Sequence, residues 1–153
     1  MVNGTTEKQL SDSEPVRSIY AIKWPTLEFT LDRLVAEVRS LAADCPDAVY
    51  SRCGGYCMYT KGEAGCGVGC IVGQAILRLQ PELCEGLARV DRRELGNTTA
   101  MELMGSMRLW VGTESGKEAY RNAYWLSRVQ TSQDRGTPWG ECIELADNDP
   151  MAP

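Results

Sequence analysis

The chain has 153 residues, 43% of them apolar and 24% charged, an ordinary globular composition that fits one folded domain with flanking tails and excludes a disordered or fibrous chain. It contains no histidine, so a Ser/His/Asp triad, a Cys/His dyad and His-ligated zinc are impossible within one chain. A net charge of −5 argues against broad affinity for nucleic acid or anionic membranes, because both rest on excess Lys and Arg.

Residues 1–15 are polar, offer no apolar periodicity and read as a mobile tail. Ile19, Tyr20 and Ile22 suggest a short extended piece before Pro25. Leu31, Leu34, Val35, Val38, Leu41 and Ala42 then recur at three- and four-residue spacing, which predicts an amphipathic helix capped by Thr30 and stopped before Pro46. Val49 to Thr60 is rich in Tyr, Cys and Gly and suggests a bent strand or hairpin arm. A glycine-rich turn over 62–69 opens a buried helix from Cys70 to Leu77, and Pro81 opens a short helix to about Val90, followed by a loop over 92–97. Thr99 with Glu102 and Ser115 with Glu118 have capping-box spacing and start two further helices, the second ending near Gly136. Thr137-Pro138 starts the last helix, through Ala146, and residues 147–153 should fray. The expected fold is mainly α: a compact single domain over 16–146 of about five helices, with a short extended or hairpin segment near 49–60 and a Gly/Cys-rich loop.

The cysteine count is seven, odd and too sparse for a disulfide scaffold, which points to reduced thiols. No apolar run is long enough for a membrane helix and the start lacks a secretory layout, so a cytoplasmic, non-membrane protein is expected. Cys53, Cys57, Cys66 and Cys70 lie within 18 residues and could complete a four-thiolate zinc site, although three residues separate each pair where zinc sites usually have two. Buried or surface thiols without metal are the expectation, and no cofactor motif is present. The run Gly65 to Gly69 resembles a phosphate cradle, with Gly67, Gly69 and Cys70 as candidate anion contacts at a helix N-terminus, but it departs from P-loop and dinucleotide patterns. Close helix packing by Gly69 and Gly73 is the structural alternative. Cys70 at that helix start is also a conceivable nucleophile, with no histidine to activate it.

On the 116–134 helix, Lys117, Arg121, Arg128 and Arg135 form a basic stripe, opposite a core face of Ala119, Ala123, Leu126 and Val129. Gln130 and Gln133 fall on the core side, where buried amides need partners and commonly fix how helices meet. Lys117, Arg121, Arg128, Gln130, Gln133, Asp134 and Trp139 are the candidate contacts for an acidic protein partner or phosphate, against a solvated face as the structural alternative. Arg89, Arg92 and Arg93 form a second small basic patch, and Glu141 and Glu144 beside Trp139 and Asp134 the leading carboxylate cluster. Trp110 and Trp125 are large enough to anchor a core or a partner.

Gly69-Cys70-Ile71-Val72-Gly73-Gln74-Ala75, together with Val129-Gln130, Gln133-Asp134, Gly136 and Trp139-Gly140-Glu141, resembles small uncharacterised proteins of actinobacteriophages and their actinobacterial hosts, over about Asp32 to Ala146. That resemblance implies a phage-type accessory protein in a bacterial cytoplasm and brings no activity or catalytic residue with it. Histidines associated with relatives near the Cys70 helix are absent here. The expected function is a non-catalytic interaction module that binds a host or phage protein. The alternatives are a small-molecule or nucleotide-binding protein or enzyme using the glycine turn and Cys70, and a four-cysteine zinc module. Small helical proteins often pair symmetrically, so the sequence also admits a homodimer.

Overall fold

The computed structural model describes residues 18–50, 58–60, 69–92, 98–109 and 116–153. These contain six α-helices: α1 (Leu31–Asp44), α2 (Ile71–Leu79), α3 (Cys84–Asp91), α4 (Ala100–Ser106), α5 (Gly116–Asp134) and α6 (Trp139–Asp147). That is one more than the overall count of about five, although each helix has its counterpart among the segments read in chain order; α3 starts later than read, at Cys84, because Pro81–Leu83 ahead of it is a 3-10 turn. The mainly α fold is the one the sequence predicts. Among the described residues no helix is long and apolar enough to cross a membrane.

α1 begins where Thr30 Oγ1 accepts the Arg33 amide at 3.3 Å, and it ends at Asp44 ahead of Pro46. Its buried residues are the six read from the periodicity. α5, the longest helix, packs against α6, α4 and α1, while α2 lies on α1 and touches α5. α2, α3, α4 and α6 have nine, eight, seven and nine residues, below the roughly 12 to 15 at which an isolated helix becomes even marginally stable. They persist because their apolar faces dock, so the longer α1 and α5 form the frame and the shorter helices complete it.

Close backbone packing sets how α2 sits. A Cβ on Gly69 would lie 1.8 Å from the Tyr59 carbonyl oxygen, and one on Gly73 1.9 Å from the same atom. The two glycines let the chain at Tyr59 cross directly over the start of α2. Tyr59 and Thr60 donate their amides to the Asp91 carboxylate at 2.7 and 2.9 Å, and the Thr60 hydroxyl also donates to it. These amides therefore serve α3 rather than a partner strand. Among the described residues there is no strand, and the rest of the hairpin expected near 49–60, residues 51–57, lies outside them.

Three other local expectations are corrected. Ile19–Ala21 is a 3-10 turn rather than an extended piece, because Ser18 Oγ accepts the Tyr20 amide at 3.3 Å and Ile22 N–H closes onto Ile19 O at 3.2 Å. The last helix starts at Trp139, with Pro138 as its cap rather than its first residue and no side-chain cap from Thr137. Its first two amides instead reach the α1–α2 connection, Trp139 to Ala48 O and Gly140 to Pro46 O, both at 2.9 Å. The chain end is tied down rather than frayed: Asp147 accepts two bonds from Arg39 at 2.9 and 2.7 Å and one from the Trp125 indole at 2.9 Å. Asp149 accepts the Tyr124 hydroxyl at 3.1 Å and pairs with Arg128 at 3.3 Å. The Arg39 guanidinium also stacks 4.5 Å from the centre of the Trp125 ring.

Candidate functional site

The residues singled out from the sequence occupy separate places. Lys117 and Arg121 are exposed, and Arg128, also exposed, holds the chain end through Asp149. Gln130 is buried: its Oε1 accepts the Ala100 amide at 2.7 Å and its Nε2 donates to the Tyr59 hydroxyl at 2.8 Å. Tyr59 passes this on by donating to Thr98 O at 2.6 Å. Gln133 Oε1 accepts the Ile71 amide at 3.2 Å and its Nε2 donates to Asp134 Oδ1 at 2.8 Å. Both amides thus cap the starts of other helices, α4 and α2, from within the core. Trp139 is buried, and its indole N–H has no hydrogen-bond partner among the described residues. Lys117 and Gln133 are about 24 Å apart by helix rise. The seven residues make no single surface.

At the glycine turn, Gly67 lies outside the described residues, as do Cys53, Cys57 and Cys66 of the four-cysteine set and Ser115, Trp110 and Arg93. Gly69 and Cys70 are described and buried. The Cys70 amide donates to Met58 O at 2.9 Å, Ile71 N–H is taken by Gln133, and Cys70 Sγ accepts the Gly73 amide at 3.5 Å. Three of the donors at this helix start, the Cys70, Ile71 and Gly73 amides, are therefore already engaged. Among the described residues no group of three Cys, Asp or Glu side chains is placed to hold a metal ion. Cys142 is buried, donates to Thr137 O at 3.3 Å, and has its thiol pushed up to about 11 by burial, with the nearby Glu141 charge adding to the shift.

A concave site lies elsewhere, where the strap before α1 faces α4 and the start of α5. This cleft, about 860 Å³ in volume, has an aromatic and aliphatic wall of Tyr20, Trp24, Leu27 and Phe29. Ile22, Leu31, Met107 and Ala119, all buried, also line it, with Asn122 and the charged Lys23, Asp32, Arg108 and Glu118. Most of the strap's aromatic and aliphatic side chains are partly buried, but Tyr20 is 68% exposed.

The strap is fixed by side chains from distant helices. The Trp24 indole N–H donates to Ser106 Oγ at 3.0 Å, and that hydroxyl donates to Ile19 O at 2.7 Å. The indole ring lies against α3 at Gly86, where a Cβ would come within 2.3 Å of Trp24 Cζ3. Further along, the buried Gln80 accepts the Glu28 amide at 2.9 Å and donates to Thr26 O at 2.9 Å and to Glu82 at 2.6 Å. Asn122 of α5 donates to Asp32 Oδ1 at 2.7 Å, joining the two helix starts at the edge of the cleft. Between the anchors at Ile19 and Thr26, the Lys23 backbone makes no hydrogen bond to any described residue. The sequence signal for this wall is the mixed apolar run Ile19 to Phe29, which contains Trp24-Pro25 and follows neither a helical nor a strand period.

No family model matches the chain, and no curated protein or solved structure matches it either.

Proposed function

We propose that the protein is a non-catalytic binding module whose cleft between the 18–30 strap, α4 and α5 takes an apolar segment of a partner polypeptide. The observation that carries this is the cleft's composition: an aromatic and aliphatic wall, pinned from behind, with charges at the rim and Tyr20 standing 68% exposed beside it. Large aromatic residues on a rigid wall are the usual anchors of protein recognition, because they bury much area for little lost side-chain entropy. The stretch of strap backbone around Lys23 leaves hydrogen-bonding groups for an extended chain laid beside it. The resemblance to actinobacteriophage proteins supports a phage-type accessory role in a bacterial cytoplasm, with a host or phage protein as partner. The glycine turn supports a nucleotide reading less well, since the Cys70, Ile71 and Gly73 amides already serve Met58, Gln133 and the Cys70 sulfur.

Selection of displayed peptides on the purified full chain tests the proposal. Enriched peptides should contain adjacent large apolar residues, and Tyr20→Ala should weaken them at least about fivefold with no change in melting, since truncating an interface anchor costs more than about 1 kcal/mol. Arg135→Ala, exposed in the turn just past the end of α5, should leave binding unchanged. Failure to enrich any peptide, or binding indifferent to Tyr20, would overturn the assignment.

A further inference from the structure

We infer that the segment taken by this cleft carries a carboxylate beside its apolar residues and that Arg108 reads it; the inference rests on the cleft being the binding site. Arg108 has φ of 57°, a left-handed conformation that glycine adopts without strain and arginine does not. It stands just past the end of α4, where its N–H donates to Gly105 O and the Leu109 N–H to Met104 O, both at 3.0 Å. This pair of bonds is the helix ending for which glycine is the favoured residue. The same ending closes α5, where Gly136 has φ of 84°, donates to Gln133 O at 3.0 Å, and is followed by Thr137 donating to Ser132 O at 3.3 Å. One chain thus makes the same turn twice, once with glycine on an open surface and once with arginine on the rim of the cleft. Backbone strain kept at one position points to something its side chain does there.

The charges around the cleft indicate what that is. Asp32 and Glu118 sit in the first turns of α1 and α5, where the positive helix end favours a negative group, and Asp32 also accepts the Asn122 amide. Lys23 lies on the strap, and neither it nor the exposed Arg108 side chain has an ion-pair or hydrogen-bond partner among the described residues. Asp32 thus has a side-chain donor in Asn122 besides its helix end, whereas Arg108, which the negative end of α4 favours in the same way, has no acceptor for its guanidinium among the described residues. An exposed guanidinium at the rim of an aromatic wall presents a fork of donors matched to a carboxylate.

Paired arrays of short immobilised peptides test this, each pair sharing the same Leu and Phe residues and carrying Glu in one member and Gln in the other. The full chain should bind Glu members at least about fivefold more tightly than their Gln partners, the size expected of a charge-assisted contact at a partly desolvated rim. Arg108→Gln should reduce that preference below about twofold while leaving the Gln members bound as before, and added salt should shrink it in the native protein. Equal binding of Glu and Gln members would overturn the inference and leave the cleft assignment standing. If no member binds, or if binding ignores Tyr20→Ala, the cleft assignment itself fails and takes the inference with it.

Discussion

Replacing Gln130 with leucine measures how much the polar ties inside the core contribute. The side chain is 4% exposed and among the described residues accepts the Ala100 amide at 2.7 Å and donates to Tyr59 Oη at 2.8 Å. Leucine fills similar volume, so cavity formation is a minor part of the change. The Ala100 N–H at the first residue of α4 loses this acceptor in a buried position, a cost of about 1–3 kcal/mol. Losing the bond to Tyr59 adds about 1 kcal/mol, and the greater apolar burial of leucine returns about the same amount. The expected net loss is about 1–3 kcal/mol, a sizeable fraction of the roughly 5–15 kcal/mol that holds a domain together. At about 2–4 °C per kcal/mol for a chain of this size, the melting temperature should fall by about 2–12 °C. Urea denaturation followed by circular dichroism gives the energy, and hydrogen exchange should quicken first at Ala100. The cycle with Tyr59→Phe should show a coupling near 1 kcal/mol, since the two side chains are in direct contact. A loss below about 0.5 kcal/mol, the range of neutral surface changes, would refute the reasoning and return Gln130 to the ligand-contact role that its sequence also admits.

Four further outcomes are expected. Gly86→Ala places a methyl where the Trp24 ring lies, 2.3 Å from Cζ3, so it should shift the tryptophan fluorescence and weaken peptide binding even though alanine is the better helix former; unchanged spectra and binding would contradict the packing. Arg108→Gly relieves left-handed strain of about 1–2 kcal/mol and gives back about 0.5–1 kcal/mol through a looser unfolded chain, so denaturation should show a small net gain in stability. The Asp147 carboxyl is held below its ordinary range, first by the hydrogen bonds from Arg39 and then by that from Trp125, against the opposing effect of burial. Its contribution is therefore fully present above the unfolded value of about 3.9 and is lost as pH falls through the lower folded value. Asp147→Asn should cost no more than about 1 kcal/mol at neutral pH, because the pair is largely solvent-exposed, and should remove that part of the acid dependence of stability. Cys142, its thiol pushed up to about 11, should resist alkylation in the native protein at mildly alkaline pH, while the exposed Cys45 and Cys84 react; mass spectrometry of the labelled chain checks this.

Features fixed by local chemistry were readable in the sequence. The apolar spacing of α1, the Thr30 cap, the Thr99–Glu102 capping box and the left-handed Gly136 each depend on residues within a turn or two of one another. So does the core face of α5, on which Gln130 and Gln133 stand among Ala123, Leu126 and Val129 because helical period alone puts them there. What those amides bind was not readable: Ile71 is 62 residues from Gln133, and Ala100 is 30 from Gln130. The start of α6 was missed by one residue for the same reason, since its amides are satisfied by Pro46 and Ala48 rather than by a neighbouring side chain. The cleft was missed altogether. Its strap has no period to detect, and the contacts that turn it into a wall join Trp24 to Ser106 and Thr26 to Gln80, 82 and 54 residues apart. Arg108 carried no local warning either, because glycine is the sequence sign of a left-handed helix ending.

The long-range ties also explain how a segment without regular structure can serve as a recognition wall. An extended strap of this kind would ordinarily lose backbone freedom on binding, at a cost of about 1 kcal/mol or more for each residue ordered. Here Ser106 holds Trp24 and Ile19 on one side, and Gln80 holds Thr26 and Glu28 on the other. Both anchors belong to the folded core: Ser106 is the last residue of α4, and Gln80, 1% exposed, lies between α2 and the 3-10 turn. Ordering of the wall is therefore part of folding rather than of association, which leaves more of the contact energy available for affinity. The same arrangement separates the two roles of polar groups in this protein. Glutamine and serine side chains that face inward set the positions of backbone segments, while Lys23 and Arg108 face solvent without partners among the described residues. Substitutions in the first set act on stability and reach the cleft only by loosening the strap; substitutions in the second leave the fold in place and act on what the cleft accepts.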